Sequence, residues 1–108
     1  MSKIFTKYFY EEYSLYKISM VQFSELQLDI LFKLWRNRCF RRTATLQVDN
    51  VVKGAPSHFI GKMRDEMDDL IRKGIVIKIP HRHGDKVFIN PEYKFEIERA
   101  LKKIHPFL

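Results

Sequence analysis

Leu70-Ile71-Arg72-Lys73-Gly74-Ile75-Val76 reads as the junction between a helix and a strand. Upstream of it, Phe59, Ile60, Met63, Met67, Leu70 and Ile71 recur at three- and four-residue spacing. That spacing puts them on one buried stripe of a helix over residues 57–73. Ser57 is suited to cap the start of this helix. Gly74 is suited to stop it, because glycine enters the left-handed backbone past a helix end without a Cβ clash. Lys62 and Glu66, Arg64 and Asp68, Asp68 and Arg72, and Asp69 and Lys73 set opposite charges four apart. Each such pair adds about 0.2–0.5 kcal/mol to a helix. Downstream, Ile75-Val76-Ile77-Lys78-Ile79 is a β-branched strand, Pro80 to Asp85 a polar turn, and Lys86-Val87-Phe88-Ile89 a second strand.

Working outward, residues 24–38 read as a helix capped by Ser24, with Leu26, Ile30, Leu31, Leu34 and Trp35 on its apolar stripe. Glu25 and Asp29 suit its positive end, and Arg36 and Arg38 its negative end. Residues 39–45 are a short connection. A second helix is expected from about Leu46 to Lys53, with a strand as the competing reading because of Val48, Val51 and Val52. Gly54 and Pro56 then break the chain. Asn90 and Pro91 open a fourth helix with Phe95, Ile97, Ala100, Leu101 and Ile104 as its stripe.

Residues 1–23 are an aromatic segment, with Phe5, Tyr8, Phe9, Tyr13, Tyr16 and Met20 spaced like one face of a helix. The segment is expected to be a helix or a dimerisation arm. Six rings between Phe5 and Tyr16 are hard to hide in a small domain, so a homodimer through this segment and the C-terminal helix is expected.

The 108 residues suffice for one domain. The net charge of +7 points to an anionic partner, nucleic acid before an acidic membrane. The excess is uneven: residues 24–56 carry +3 and residues 75–90 carry +2, while residues 57–74 are neutral. There is no apolar run of membrane-spanning length and no signal-peptide pattern near the start. The lone Cys39 fits a reducing cytoplasm and is expected to be buried rather than a redox sensor. Neither a phosphate-cradling glycine loop nor a nucleophile with a base at useful spacing is present, so an enzyme is not expected and no cofactor is implied.

The order helix, connection, helix, turn, helix, hairpin, helix resembles the winged helix-turn-helix family. Met63 to Val76 is similar to the recognition helix and wing entry of small MarR- and ArsR-like transcriptional regulators of bacteria and archaea, and Glu25 to Leu31 to their first core helix. The resemblance covers roughly residues 24–104. It implies a mainly α fold with a β-hairpin wing over residues 24–108, and sequence-specific double-stranded DNA binding. It would place the third helix in the major groove and the wing on the backbone or minor groove. Ser57, His58, Gly61 and Lys62, with Asp65 beside them, would then face DNA from the helix. His81, Arg82, His83 and Lys86 would face it from the wing, and Arg41 and Arg42 would add phosphate contacts. Two alternatives stand beside this reading: a protein-binding winged-helix module in a replication or transcription assembly, and a DNA binder without sequence preference. His81 and His83 alternate as strand residues do, but no further ligands stand at metal-binding spacing.

Overall fold

Two helix ends, built alike, set the frame of the molecule. The computed structural model describes residues 22–108. Its elements are α1 (Glu25–Arg36), β1 (Leu46–Gln47), α2 (Val48–Val52), a 3-10 turn (Ser57–Phe59), α3 (Ile60–Arg72), β2 (Val76–Ile79), β3 (Lys86–Ile89), a second 3-10 turn (Pro91–Tyr93) and α4 (Lys94–Lys102). The expectations for residues 1–21, including a dimerisation arm, lie outside the described residues.

α1 and α3 both end in the same hydrogen-bonded reversal. At α3 the Ile75 N–H donates to the Leu70 carbonyl and the Gly74 N–H to the Ile71 carbonyl, both at 3.0 Å. Gly74 sits at φ 77°. At α1 the Cys39 N–H donates to the Leu34 carbonyl at 3.0 Å and the Arg38 N–H to the Trp35 carbonyl at 2.9 Å. Here the left-handed position, φ 56°, is held by Arg38. These paired bonds satisfy carbonyls that a helix end leaves open and turn the next apolar residue inward. Cys39 and Ile75 are accordingly buried.

The chain that leaves each cap is sewn to the end of β3. The Cys39 carbonyl accepts from the Ile89 N–H at 2.8 Å, and the Ile75 carbonyl from the Asn90 N–H at 2.9 Å. Asn90 also donates from Nδ2 to the Gly74 carbonyl at 2.8 Å, while its Oδ1 accepts from the Glu92 N–H at 3.1 Å. One side chain thus ties the α3 cap to the start of the last helical segment.

The sheet is antiparallel in the order β1-β3-β2. Val76 stands opposite Ile89 and Ile79 opposite Lys86, while Leu46 stands opposite Val87. The expected two-stranded hairpin therefore gains a third strand. Residues 46–52 resolve the competing readings in succession: the first two are strand and the next five are helix. β3 is central, and Val87, Phe88 and Ile89 are all buried. They meet Ile30, Leu31 and Leu34 of α1, Met67 and Leu70 of α3, and Ile97 and Leu101 of α4 in one core.

The polar contacts between α1 and α3 differ from the expected ladder of charges. Ser24 and Gln27 form a reciprocal capping box: Ser24 Oγ accepts from the Gln27 N–H at 3.1 Å, and Gln27 Oε1 from the Ser24 N–H at 3.2 Å. Gln27 is buried, and its Nε2 donates to Asp69 Oδ2 at 2.9 Å. Ser24 Oγ donates to Glu66 at 2.9 Å. Of the four expected pairs along α3, only Asp69–Lys73 forms among the described residues, at 2.9 Å. Arg72 joins the same carboxylate, and Arg64 instead reaches Asp49 of α2 at 2.7 Å. Arg64 and Glu66 thus find their partners outside α3, while Arg72 and Lys73 share Asp69 within it.

Three local expectations need correction. Ser57 opens a 3-10 turn and its side chain makes no capping hydrogen bond, because Pro56 directs the chain into the turn first. Arg38 lies past the end of α1, as the pivot of its cap. Phe95 and Ile104, assigned to the buried stripe of the last helix, are 60% and 53% exposed, since Ile97 and Leu101 alone face the core. No helix among the described residues is long and apolar enough to cross a membrane.

Arg38 and Gly74 occupy equivalent positions, and an L-residue in the left-handed region is strained by about 1–2 kcal/mol. Arg38→Gly is expected to raise stability by about 1 kcal/mol in urea unfolding, after the entropy cost of a new glycine. Hydrogen bonds from Lys73 and Gln27, with a smaller part from Arg72, hold the Asp69 carboxyl at about 2, below its ordinary 3.8. A carboxyl depressed by folding stabilises in its ionised form. Its contribution is therefore complete above about pH 4 and drains away as the pH falls towards 2. Asp69→Asn should flatten the pH dependence of the melting temperature across that interval.

Candidate nucleic-acid interface

α2 and α3 are joined through Lys53 to Pro56. Ala55 N–H donates to the Val52 carbonyl at 3.1 Å and Phe59 N–H to the Pro56 carbonyl at 2.8 Å, so each end of the break is turned tightly. Met63, Met67 and Leu70 are the buried residues of α3. At 3.6 residues per turn, the opposite face is then carried by Gly61, Lys62, Asp65, Asp68 and Arg72, all exposed. Asp69, by contrast, is turned towards Gln27 and away from that outer face. Lys62, Asp65 and Asp68 make no ion pair among the described residues. The outward face of α3 is thus polar without a basic surplus.

Beside it projects the β2–β3 hairpin. His81 to Gly84 form its tip, closed by the Gly84 N–H donating to the His81 carbonyl at 3.1 Å. Gly84 takes φ 121°, a conformation that L side chains rarely adopt. His83 N–H donates to His81 Nδ1 at 3.2 Å, and the two rings lie 5.8 Å apart. Both histidines lie in the turn and neither in a strand, so the same-face geometry suggested by their spacing is absent. Among the described residues no three His, Cys, Asp or Glu side chains are grouped to hold a metal ion. His81, Arg82 and His83 are exposed, and Arg82 makes no ion pair among the described residues. Lys86, at the first position of β3, is partly covered.

The hairpin is braced against α2. Val48 N–H donates to the Asp85 carbonyl at 2.9 Å and Gln47 Nε2 to the His83 carbonyl at 3.4 Å. Lys78 stands 3.6 Å from Asp85. A cleft of about 220 Å³ separates α3 from the hairpin, and Asp49, Asp68 and Asp85 outnumber Arg64 and Lys78 on its walls. A phosphate chain entering this seam would meet more negative than positive charge.

The other basic stretch lies elsewhere. Arg41 and Arg42 are exposed on a turn closed by the Ala44 N–H and the Arg41 carbonyl at 3.0 Å. The chain enters that turn at Cys39, which is bonded to Ile89 at the end of β3 remote from the hairpin tip. β3 is four residues long, and each residue of a strand advances about 3.3 Å. The two basic concentrations therefore sit towards opposite ends of the sheet. The fold brings Gln47 to Asp49 to the hairpin, and does not bring the Arg41–Arg42 pair there. Ser57 and His58 are exposed at the start of α3, with the His58 ring 4.3 Å from that of Phe59.

Cys39 is buried, and burial pushes its thiol pKa up, which leaves it a poor nucleophile. Lys94 carried no signal in the sequence, yet its ammonium stands 4.7 Å from the Phe40 ring centre and 5.9 Å from that of Trp35. Only the tertiary fold brings these groups, 54 positions apart for the Phe40 pair, into one place.

Gly84→Ala is expected to cost about 1–3 kcal/mol in urea unfolding, because the turn requires its φ; unchanged stability would show that the tip tolerates another conformation. Comparison with models of known protein families, with curated proteins and with solved structures returned no match for this chain.

Proposed function

We propose that residues 24–108 form a winged helix-turn-helix domain that binds double-stranded DNA in sequence-specific fashion, as a cytoplasmic transcriptional regulator. The observation that carries this reading is the element order helix, strand, helix, helix, strand, strand, helix with the sheet order β1-β3-β2. That arrangement supports α2 and α3 as a helix-turn-helix unit and β2–β3 as a wing beside it. An exposed Arg82 at the tip, free of carboxylate partners among the described residues, suits contact with phosphate or the minor groove.

On this reading Ser57, His58, Gly61 and Lys62 enter the major groove from the start of α3. Asp65, one turn further on, would repel phosphate unless it accepts a hydrogen bond from a cytosine amino group. His81, His83 and Lys86 support Arg82 on the wing, and Arg41 and Arg42 neutralise phosphates on a separate flank. A homodimer would present two such units to successive half-sites, and the exposed Phe95, Ile104 and Phe107 offer apolar surface for it. The unpaired Asp65 and Asp68 on α3 favour a second reading, in which the same face binds a basic protein partner.

The test is a salt titration of binding to sequences selected from a random duplex pool. Arg82→Ala is expected to weaken binding to all sequences alike and to reduce the salt slope by about 1. Failure of the pool to yield any duplex bound more tightly than bulk DNA would overturn the sequence-specific reading; salt-dependent binding to bulk DNA would then identify a binder without sequence preference, and no duplex binding the protein-binding module.

A further inference from the structure

At the sheet end remote from the wing tip, Trp35, Arg36, Arg38, Phe40, Lys94 and Leu108 line a cleft of about 310 Å³. Its side chains are one-sided: two aromatic rings, three cations and no acidic side chain. Trp35 and Phe40 meet edge to face with centres 5.1 Å apart. Lys94 leans over both rings, a contact weaker than a charge-assisted hydrogen bond to phosphate. Arg36, Arg38 and Lys94 make no ion pair among the described residues, whereas Arg64, Arg72, Lys73, Lys78 and Lys102 all do. Arg41 and Arg42, the next residues after Phe40 in the chain, are exposed.

Arg38 is the telling member. It holds the left-handed position of the α1 cap, where the matching α3 cap has glycine. An arginine there strains the backbone and lines the same cleft as the two rings, and strain of this kind is often held at binding sites. Aromatic faces take up a planar base, and clustered cations take up the doubly charged phosphate attached to it. The cleft volume lies at the lower end of the range for small-molecule sites, which suits one such unit.

We propose that this cleft binds a nucleotide, with the base against Trp35 and Phe40 and the phosphate between Arg36, Arg38 and Lys94. The nucleotide is either free or the terminal unit of a nucleic-acid strand. Binding here does not require the wing or α3 to touch DNA.

Trp35 is the only tryptophan in the chain, so its fluorescence reports this cleft directly. Thymidine 5′-monophosphate and a short 5′-phosphorylated oligothymidylate are expected to quench it saturably in the full chain. Thymidine without phosphate should bind at least about tenfold more weakly, as should the mononucleotide to Arg38→Gly and Lys94→Gln, since each loses a charge-assisted contact. Arg38→Gly is informative because it should melt higher than the parent, which separates lost binding from lost folding. Equal affinity for the mononucleotide and the oligomer would identify a free nucleotide; tighter binding of the oligomer would identify a strand end. Arg82→Ala should leave the quenching intact. Absence of saturable quenching, unchanged affinity in Arg38→Gly, equal binding of thymidine, or loss of quenching in Arg82→Ala would each overturn the proposal.

Discussion

The reversal at Gly74 is the constraint on which the rest of the structure depends. Its left-handed backbone returns two N–H groups to the open carbonyls of α3 and points Ile75 into the core. The Ile75 carbonyl then meets Asn90, which fixes β2 against β3 and sets where the last helix begins. The α1 cap repeats the device on the other side of β3, through Cys39 and Ile89. Two helices that approach from different parts of the chain are thus held to one end of one strand. Because β3 pairs on both sides and buries Val87, Phe88 and Ile89, moving either cap would shift the register of the sheet.

The polar contacts add specificity to this apolar frame. Gln27 is the one buried polar residue among those described, and its amide is satisfied by the Ser24 cap on one side and Asp69 on the other. An unsatisfied amide in that position would cost more than the bond contributes, so the contact selects one approach of α1 to α3. It also has an electrostatic consequence. Asp69 is drawn off the outer face of α3, while Asp65 and Asp68 remain there. The face that a helix-turn-helix would offer to DNA is left close to neutral, and the cations that could meet phosphate lie on the hairpin tip and beside α1.

Local features of the chain were legible in its sequence. The caps at Ser24 and Asn90, the strand Lys86–Ile89, the helix before Gly74 and the burial of Cys39 each rest on residues within a turn or two of one another. Contacts between distant partners were not legible. The charges of α3 suggested a ladder along the helix, but Arg64 found Asp49 and Glu66 found Ser24. Phe95 and Ile104 matched an apolar stripe, yet a nine-residue helix buries only the two side chains that face the core. Leu46 to Val52 looked ambiguous because it is both strand and helix, and only pairing with β3 decides where one gives way to the other.

The sequence by itself determined the helix-to-strand junction at Leu70–Val76, since a glycine after an amphipathic helix and before β-branched residues has few other solutions. It also determined that the positive charge is concentrated in two stretches. Only the tertiary structure decided where those stretches go, because their separation depends on the pairing of Cys39 with one end of β3 and of Gln47 with the other. The same pairing made a cleft from Trp35, Phe40 and Lys94, which no spacing in the chain announces. Backbone preference acts between neighbours and can be read along the chain; the meeting of aromatic rings and distant cations is set by the packing of the core.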